Sequence, residues 1–481
     1  MRNLTAGDTP SPASGSSGWR AGWDGMPGSG QVELLVDLYE LTMAQSYYDH
    51  GIQDRATFSL FVRQLPPNRG YLVAAGLESA LRFLEDFHFS QKALGYLSSL
   101  GMFSSGFLAF LTNLRFAGDV WAVPEGRLVF AEEPLLEVSA PLVEAQIIET
   151  YLINQVNLQT MIASKAARCI SAAQGRTLVD FALRRTQGVD AGLKTARACY
   201  MVGFQATSNM LAGKLYGIPV SGTMAHSFVT AYEHELDAFR AFAATFPERC
   251  VLLIDTYDTV DGARKAVQVA RELEERGERL AGVRLDSGDL LALSKEARRI
   301  LDSAGLEYVQ IVASGGLDEY EIDDLLKGGA PIGAFGVGTK MGVSGDAPWL
   351  DMAYKMVSFG DRPVLKLSTG KLSLPGPKQM YRLCDEHGDF QHDVLALREE
   401  KIEGEAMLVK VMETGKRLAP YPSLDALRGR FAQDFRRLPV AYRQLRRPPG
   451  YQVKISPGLR ELSQSIGERA KLLSAKELGE S

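Results

Sequence analysis

Apolar residues change their rhythm twice along the chain. From Gln31 to Leu142, a helix-like opening at Val36-Asp37-Leu38-Tyr39-Glu40-Leu41 is followed by strand-length runs at Ala56–Val62, Asp119–Val123, Leu128–Phe130 and Leu135–Val138. This mixture predicts an α+β lobe over residues 31–142. Residues 143–174 then read as one long helix, because Ile147, Ile148, Tyr151, Leu152 and Val156 recur at helical spacing.

Beyond that helix, short apolar runs stand at Leu178–Leu183, Ile218–Val220, Val251–Ile254, Val283–Leu285, Val309–Ala313 and Ala334–Val337, most of them separated by helical stretches. Alternating strands and helices build parallel βαβ units. The expected fold is therefore α/β: an irregular or incomplete TIM-like barrel over residues 143–361. Each run ends in polar or glycine residues: Arg184-Arg185, Ser221-Gly222-Thr223, Asp255-Thr256, Asp286-Ser287-Gly288-Asp289, Ser314-Gly315-Gly316 and Gly338-Thr339. In such barrels the active site occupies the carboxyl ends of the strands, so these six ends are expected to face one opening.

Strand signals return at Val364–Leu367, Gln379–Leu383 and Ala406–Met412, and predict that residues 362–425 complete the first lobe. Residues 426–481 look helical, charged and peripheral. The first thirty residues, rich in Gly, Ser and Pro without an apolar core, read as a disordered tail rather than a signal peptide. No fixed-period repeat of the solenoid kind is visible.

Composition narrows the functional classes. In 481 residues, 53 Lys and Arg oppose 58 Asp and Glu, so the net charge of -5 leaves no basic excess for nucleic acid. Cys169, Cys199, Cys250 and Cys384 form no CxxC pair and have no His at zinc-ligand spacing, which fits a reduced, cytoplasmic protein. No stretch reaches the roughly 18 apolar residues of a membrane span.

The candidate chemistry lies at the strand ends. Ser314, Gly315 and Gly316, with Gly336, Gly338 and Thr339, follow or close the last two strands and read as a phosphate cradle, since glycine lets backbone N–H groups approach an anion. Tight turns are the plainer alternative. Arg184, Arg185 and Arg284 end strands where a guanidinium can grip a carboxylate or phosphate, the alternative being an ordinary surface charge. Asp255, Asp258, Asp286 and Asp289 supply oxygen ligands suited to Mg²⁺ bound through a phosphate, or serve as helix N-caps; for Asp289 capping is the favoured reading. Among six histidines only His226 follows a Gly-Thr turn at a strand end, where a nearby Asp can fix its tautomer and raise its nucleophilicity.

These residues resemble the nicotinate phosphoribosyltransferases of the type II phosphoribosyltransferase group. Five ordered motifs carry the likeness: Asp37-Leu38-Tyr39-Glu40-Leu41-Thr42-Met43, Phe181-Ala182-Leu183-Arg184-Arg185, Gly222-Thr223-Met224-Ala225-His226-Ser227-Phe228, Val283-Arg284-Leu285-Asp286-Ser287-Gly288-Asp289 and Leu374-Pro375-Gly376-Pro377-Lys378-Gln379. The resemblance implies condensation of nicotinate with 5-phosphoribosyl 1-pyrophosphate for NAD biosynthesis, coupled to ATP through phosphorylation of His226 and supported by Mg²⁺. It implies that Tyr39, Thr223 and Arg284 bind nicotinate or its nucleotide, that Thr339 binds the phosphoribosyl phosphate, and that Arg184 lies beside the ring. It further implies a homodimer in which Tyr39 reaches a neighbouring subunit's site. Asp255 is the candidate for orienting the imidazole, Asp286 a further catalytic carboxylate, and Asp286 and Asp289 the candidate metal ligands.

Nicotinamide phosphoribosyltransferase is the nearest rival. That family carries an acid where this chain has Ser208, and a missing negative charge favours an anionic substrate. Quinolinate phosphoribosyltransferase needs no ATP, and the His226 motif speaks against it. A catalytically idle barrel that only binds a phosphometabolite is a third reading.

Overall fold

The computed structural model describes residues 31–366 and 373–477, with side chains described through residue 470. The expected tail over residues 1–30 and the end of the Val364–Leu367 run lie outside the described residues.

The first lobe is built on a seven-stranded antiparallel sheet ordered Arg362–Pro363, Met352–Phe359, Arg55–Val62, Pro134–Pro141, Asp119–Ala122, Val409–Glu413 and Lys416–Arg417. Its centre pairs Arg55–Val62 with Met352–Phe359 on one side and Pro134–Pro141 on the other. Phe58, Leu60 and Val62 are buried there, and Phe58 stacks on Tyr354 with ring centroids 4.7 Å apart. Helices Leu38–Asp49 and Leu142–Ile147 pack together beside this sheet.

Three boundaries differ from expectation. Met352–Phe359 belongs to the first sheet, so the barrel segment ends before residue 361. Lys378–Cys384 and Phe390–Leu397 form a separate four-stranded sheet with Glu405–Ala406 and Val453–Ile455 rather than extending the first one. The C-terminal segment is not merely peripheral: Leu427 and Phe431 of helix Leu424–Arg437 are buried, and Asp434 accepts from Arg127 Nε at 2.7 Å. A charged amphipathic pattern hid that buried stripe.

The second layer is a six-stranded, wholly parallel sheet ordered Ala206–Thr207, Thr177–Asp180, Ala334–Val337, Gln310–Ala313, Gly282–Leu285 and Val251–Leu253, with α-helices between most successive strands. Val220 adds one parallel bridge to Thr207. This is the incomplete α/β barrel that the alternating pattern predicts. Two details depart from the apolar runs. Ala206–Thr207 is a strand too short to register as a run, and the run Leu178–Leu183 stops pairing at Asp180 because Leu183–Arg185 turns into a 3-10 helix.

The long helix is interrupted at Ile148 and continues as Glu149–Ala173. Its small buried residues Ala163, Ala166, Ala167, Ala172 and Ala173 let it lie close to the helices Val189–Met201 and Glu319–Lys327. Two buried cations on it meet carboxylates of the barrel. Lys165 Nζ lies 2.5 Å from Glu319 and 2.8 Å from Asp346, and Arg168 Nε lies 2.7 Å from Glu319. Arg69, from the first lobe, holds Asp346 in a bidentate fork at 2.8 and 2.9 Å. Burial costs each of these charges its hydration, and only the complete set offsets that cost.

Lys165→Met is therefore expected to lower stability by about 3 kcal/mol, because Glu319 and Asp346 lose a buried partner. Urea unfolding of the full chain checks this, and an unchanged midpoint would show that Arg69 and Arg168 suffice.

Candidate active site

Parallel register decides which residues meet. Leu253 aligns with Arg284, Arg284 with Val312, and Leu285 with Ala313. The residues just beyond, Asp255, Asp286 and Ser314, are thereby placed side by side at the carboxyl ends of three neighbouring strands. Asp255 Oδ2 accepts from the Asp286 amide at 2.9 Å and from Ser287 Oγ at 2.6 Å. Asp286 Oδ1 accepts from Ser314 Oγ at 2.5 Å. Gly315, at φ +89°, lies against the Asp286 carbonyl so closely that a Cβ would stand 1.8 Å from that oxygen.

His226 opens the short helix His226–Thr230 and is partly exposed. Its Nδ1 lies 3.2 Å from Thr256 Oγ1, and its Nε2 faces Asp286 Oδ2 at 4.0 Å. The expectation that Asp255 orients the imidazole is corrected: Asp255 is engaged with the next strand end, and the Thr256 hydroxyl holds the ring. The Asp255-Thr256 pair was visible as a strand end, but which of two adjacent polar residues turns toward the histidine depends on the local backbone.

Arg284 reaches across the opening and donates from Nη2 to the Met224 carbonyl at 2.8 Å, tying its strand to the Gly222-Thr223-Met224 turn. Its Nε is buried with no hydrogen-bond partner among the described residues. Burial lowers its basicity; Asp286 and Asp255 oppose that shift, and Arg184 adds to it. Arg184 and Arg185 are exposed and form no ion pair among the described residues, and Thr223 is half-buried on the turn. An incoming anion would relieve the mutual repulsion of Arg184 and Arg284.

The glycine cradle divides on inspection. Ser314, nearly inaccessible, serves Asp286, while Gly316 at φ +68° has open space around it. Gly336 does not cradle a ligand. It lies within strand Ala334–Val337 opposite Val179, and a Cβ there would stand 2.4 Å from the Phe181 ring, so its smallness serves packing. Gly338 precedes the turn Thr339–Gly342, which leaves Thr339 exposed at the rim. Asp289 caps helix Leu290–Ser303 by accepting from Ala292 N at 3.1 Å, and Asp258 caps Thr259–Glu274, accepting from Asp261 N at 2.8 Å. Capping thus describes both better than metal ligation.

Tyr39 belongs to a different neighbourhood, the start of helix Leu38–Asp49. Burial and the negative charges of Glu149, Glu40 and Asp37 hold its phenol well above the ordinary value. The buried Glu40 accepts from Thr150 N at 3.1 Å and Thr150 Oγ1 at 2.7 Å. Burial, opposed by those bonds and reinforced by Glu149 and Asp37, pushes its carboxyl up to about 7.

A rim combining exposed guanidinium groups, a histidine between a hydroxyl and a carboxylate, and late-strand turns suits phosphorylated or otherwise anionic small molecules, the class that α/β barrels commonly bind there. Three family models describe successive stretches of the chain: the nicotinate phosphoribosyltransferase N-terminal domain over residues 34–157, the nicotinate phosphoribosyltransferase family over 177–358 and the corresponding C-terminal domain over 402–463. A nicotinate phosphoribosyltransferase of Mycobacterium tuberculosis is 47% identical over 443 residues, covering 92% of this chain and 94% of the relative. The human nicotinate phosphoribosyltransferase is 33% identical over 518 residues, covering 90% and 96%. The crystal structure of human nicotinic acid phosphoribosyltransferase superposes with a TM-score of 0.81 at 32% identity, covering 89% of this chain and 99% of that one. The chain belongs to the nicotinate phosphoribosyltransferase family.

Asp289→Ala is expected to cost about 1 kcal/mol of stability as a lost N-cap and to leave turnover nearly unchanged. Chemical unfolding and steady-state rates check the two halves, and a collapse of turnover in a folded variant would return Asp289 to the chemistry. Glu40 gives a pH prediction. Its folded-state value is raised, so its stabilising contribution is complete below 4.5 and is lost as pH rises through about 7. Glu40→Gln is expected to flatten that part of the profile, measured as the thermal midpoint against pH.

Proposed function

We propose that the chain joins nicotinate to the phosphoribosyl group of 5-phosphoribosyl 1-pyrophosphate, releasing pyrophosphate in a salvage step of NAD biosynthesis, and that ATP drives this reaction through a phosphohistidine at His226. The observation that carries the reading is the placement of His226 between Thr256 and Asp286, on a rim with Arg184, Arg185 and Arg284. Both substrates are anions. Guanidinium groups offset their repulsion and hold the ring nitrogen near the anomeric carbon, where the new C–N bond forms as the C–O bond to pyrophosphate breaks.

In the coupling step the unprotonated imidazole nitrogen attacks the γ-phosphorus of ATP; an N–P bond forms and the P–O bond to ADP breaks. Asp286 stabilises the positive charge that develops on the ring. Water later hydrolyses the N–P bond, giving phosphate and restoring the imidazole. The phosphorylated form carries added negative charge beside the arginines, which orders the rim for substrate, and its hydrolysis favours product release.

Thr223 and Arg284 on this reading contact the nicotinate or nucleotide, Arg184 lies beside the ring, and Gly315, Gly316, Gly338 and Thr339 offer N–H and hydroxyl groups to the ribose phosphate. Mg²⁺ fits the donor set. Asp255 Oδ1 is a buried oxygen with no hydrogen-bond partner among the described residues, and Asp286 Oδ2 faces His226 at the neighbouring strand end. Among the described residues no three His, Cys, Asp or Glu side chains gather as a complete cage, so phosphate oxygens would complete the coordination. Bound there, Mg²⁺ would neutralise phosphate charge.

Selection of nicotinate over nicotinamide is supported by Ser208, an exposed neutral residue just past the strand Ala206–Thr207. A homodimer is supported by the exposed apolar residues Leu183, Val189, Met210, Leu215 and Val220 of the barrel segment. On this reading Tyr39 serves a neighbouring subunit's site, and the chain works in the cytoplasm, where its four free cysteines stay reduced.

Pyrophosphate release measured with nicotinate, nicotinamide or quinolinate, each with and without ATP, tests the proposal. Release with nicotinate, stimulated by ATP, is expected. Stimulation that survives His226→Ala would remove the coupling step, release with nicotinamide or quinolinate instead would reassign the substrate, and release with none would leave a binding protein.

A further inference from the structure

One buried carboxyl takes no part in the chemistry above yet joins two pieces of its rim. Asp180 ends the strand Thr177–Asp180 with only 1% of its surface exposed. Its Oδ1 accepts from the Ala182 amide at 2.9 Å, at the start of the turn that presents Arg184. Its Oδ2 accepts from Thr207 Oγ1 at 2.7 Å on the neighbouring strand. Its backbone carbonyl accepts from the Ser208 amide at 2.8 Å. The clamp continues outward: Thr207 Oγ1 accepts from Asn209 N at 3.0 Å, and Asn209 Nδ2 donates to the Gly192 carbonyl at 3.3 Å. Gly192 in turn packs against the Arg184 turn so tightly that a Cβ would stand 2.6 Å from Leu183 Cδ1.

Among the described residues no cation pairs with Asp180, and burial raises its carboxyl above the ordinary range while its two hydrogen bonds pull it back. A buried carboxyl without a counter-ion is costly, and an apolar pair would bridge the same strands at less cost. What an apolar pair would not do is fix the Ala182 amide and the Thr207 hydroxyl to the two oxygens of one rigid group.

We infer that Asp180 is a positioning residue: it sets the distance between the Arg184 turn and Ser208, and so the fit of a pyridine bearing a carboxylate. The inference rests on the proposed nicotinate reaction and adds a specificity element to it. Asp180 touches no substrate. Loosening it should therefore blur selection of the base more than binding of the sugar phosphate: Gly338 and Thr339 follow the strand that pairs with Asp180's, but Gly315 and Gly316 follow the next strand, which does not touch it.

The test is steady-state kinetics of the full chain with nicotinate and 5-phosphoribosyl 1-pyrophosphate varied separately. Turnover of nicotinate by the unaltered chain comes first, and its absence would sink the functional reading and this inference together. Given turnover, Thr207→Val is expected to raise KM for nicotinate about tenfold, the scale of one lost charge-assisted hydrogen bond, with KM for the sugar pyrophosphate within about twofold. Thr207→Ser, which keeps the hydroxyl, is expected to restore nicotinate KM. Asp180→Asn should show the same split and a smaller preference for nicotinate over nicotinamide, and the Asp180→Asn, Thr207→Val pair should be no worse than Asp180→Asn alone. Parallel changes in both KM values, no change in either, or failure of Thr207→Ser to restore the loss would overturn the inference while leaving the reaction intact. If Asp180→Asn does not fold, the Thr207 pair decides.

Discussion

The chain of hydrogen bonds from Ser287 and the Asp286 amide to Asp255, and from Ser314 to Asp286, is the constraint on which the site depends. Parallel pairing brings three strand ends level, and these bonds lock their loops together immediately beyond the last paired residues. A carboxylate held by fixed donors does not need to reorganise when charge develops nearby. Because one oxygen of Asp286 is occupied by Ser314, the other is left facing His226, and the imidazole is bracketed between Asp286 and Thr256. The close contact of Gly315 with the Asp286 carbonyl belongs to the same lock, since any side chain there would force the two loops apart.

The rest of the molecule holds that rim in place. The helix Glu149–Ala173 presses small residues against the barrel, and its Lys165 and Arg168 meet Glu319 and Asp346 where hydration is lost. Asp346 follows the turn that carries Thr339, so the buried charges anchor the far side of the rim to the first lobe. Opposite in character are Arg184 and Arg185, which form no ion pair among the described residues, and Arg284, whose Nε finds no hydrogen-bond partner among them. The buried charges of this helix are matched while the rim guanidinium groups are not, and this contrast separates structure from binding.

The sequence revealed the parallel sheet because buried strands write themselves as continuous apolar runs, and it located most of the opening because each run ends in polar residues. His226 and Arg284 stood out for that reason. Four things were not legible. Ala206–Thr207 is two residues long and leaves no periodic trace. The division of labour between Asp255 and Thr256 turns on backbone direction at one strand end. Gly336 resembled a ligand cradle, yet its need for smallness comes from Phe181, a contact across strands that spacing along the chain does not express. The C-terminal helix was misjudged because its apolar residues Leu427 and Phe431 are few among charges, although both are buried.

The central claim is that the strand-end lock prepares His226 to accept a phosphoryl group. Incubating the full chain with ATP labelled at the γ-phosphate, then mapping acid-labile label, tests it most directly. The account predicts label on His226 in the unaltered chain, none in His226→Asn, and a marked loss in Asp286→Asn with the fold intact. Label that persists in His226→Asn, or that maps to another residue, would contradict it.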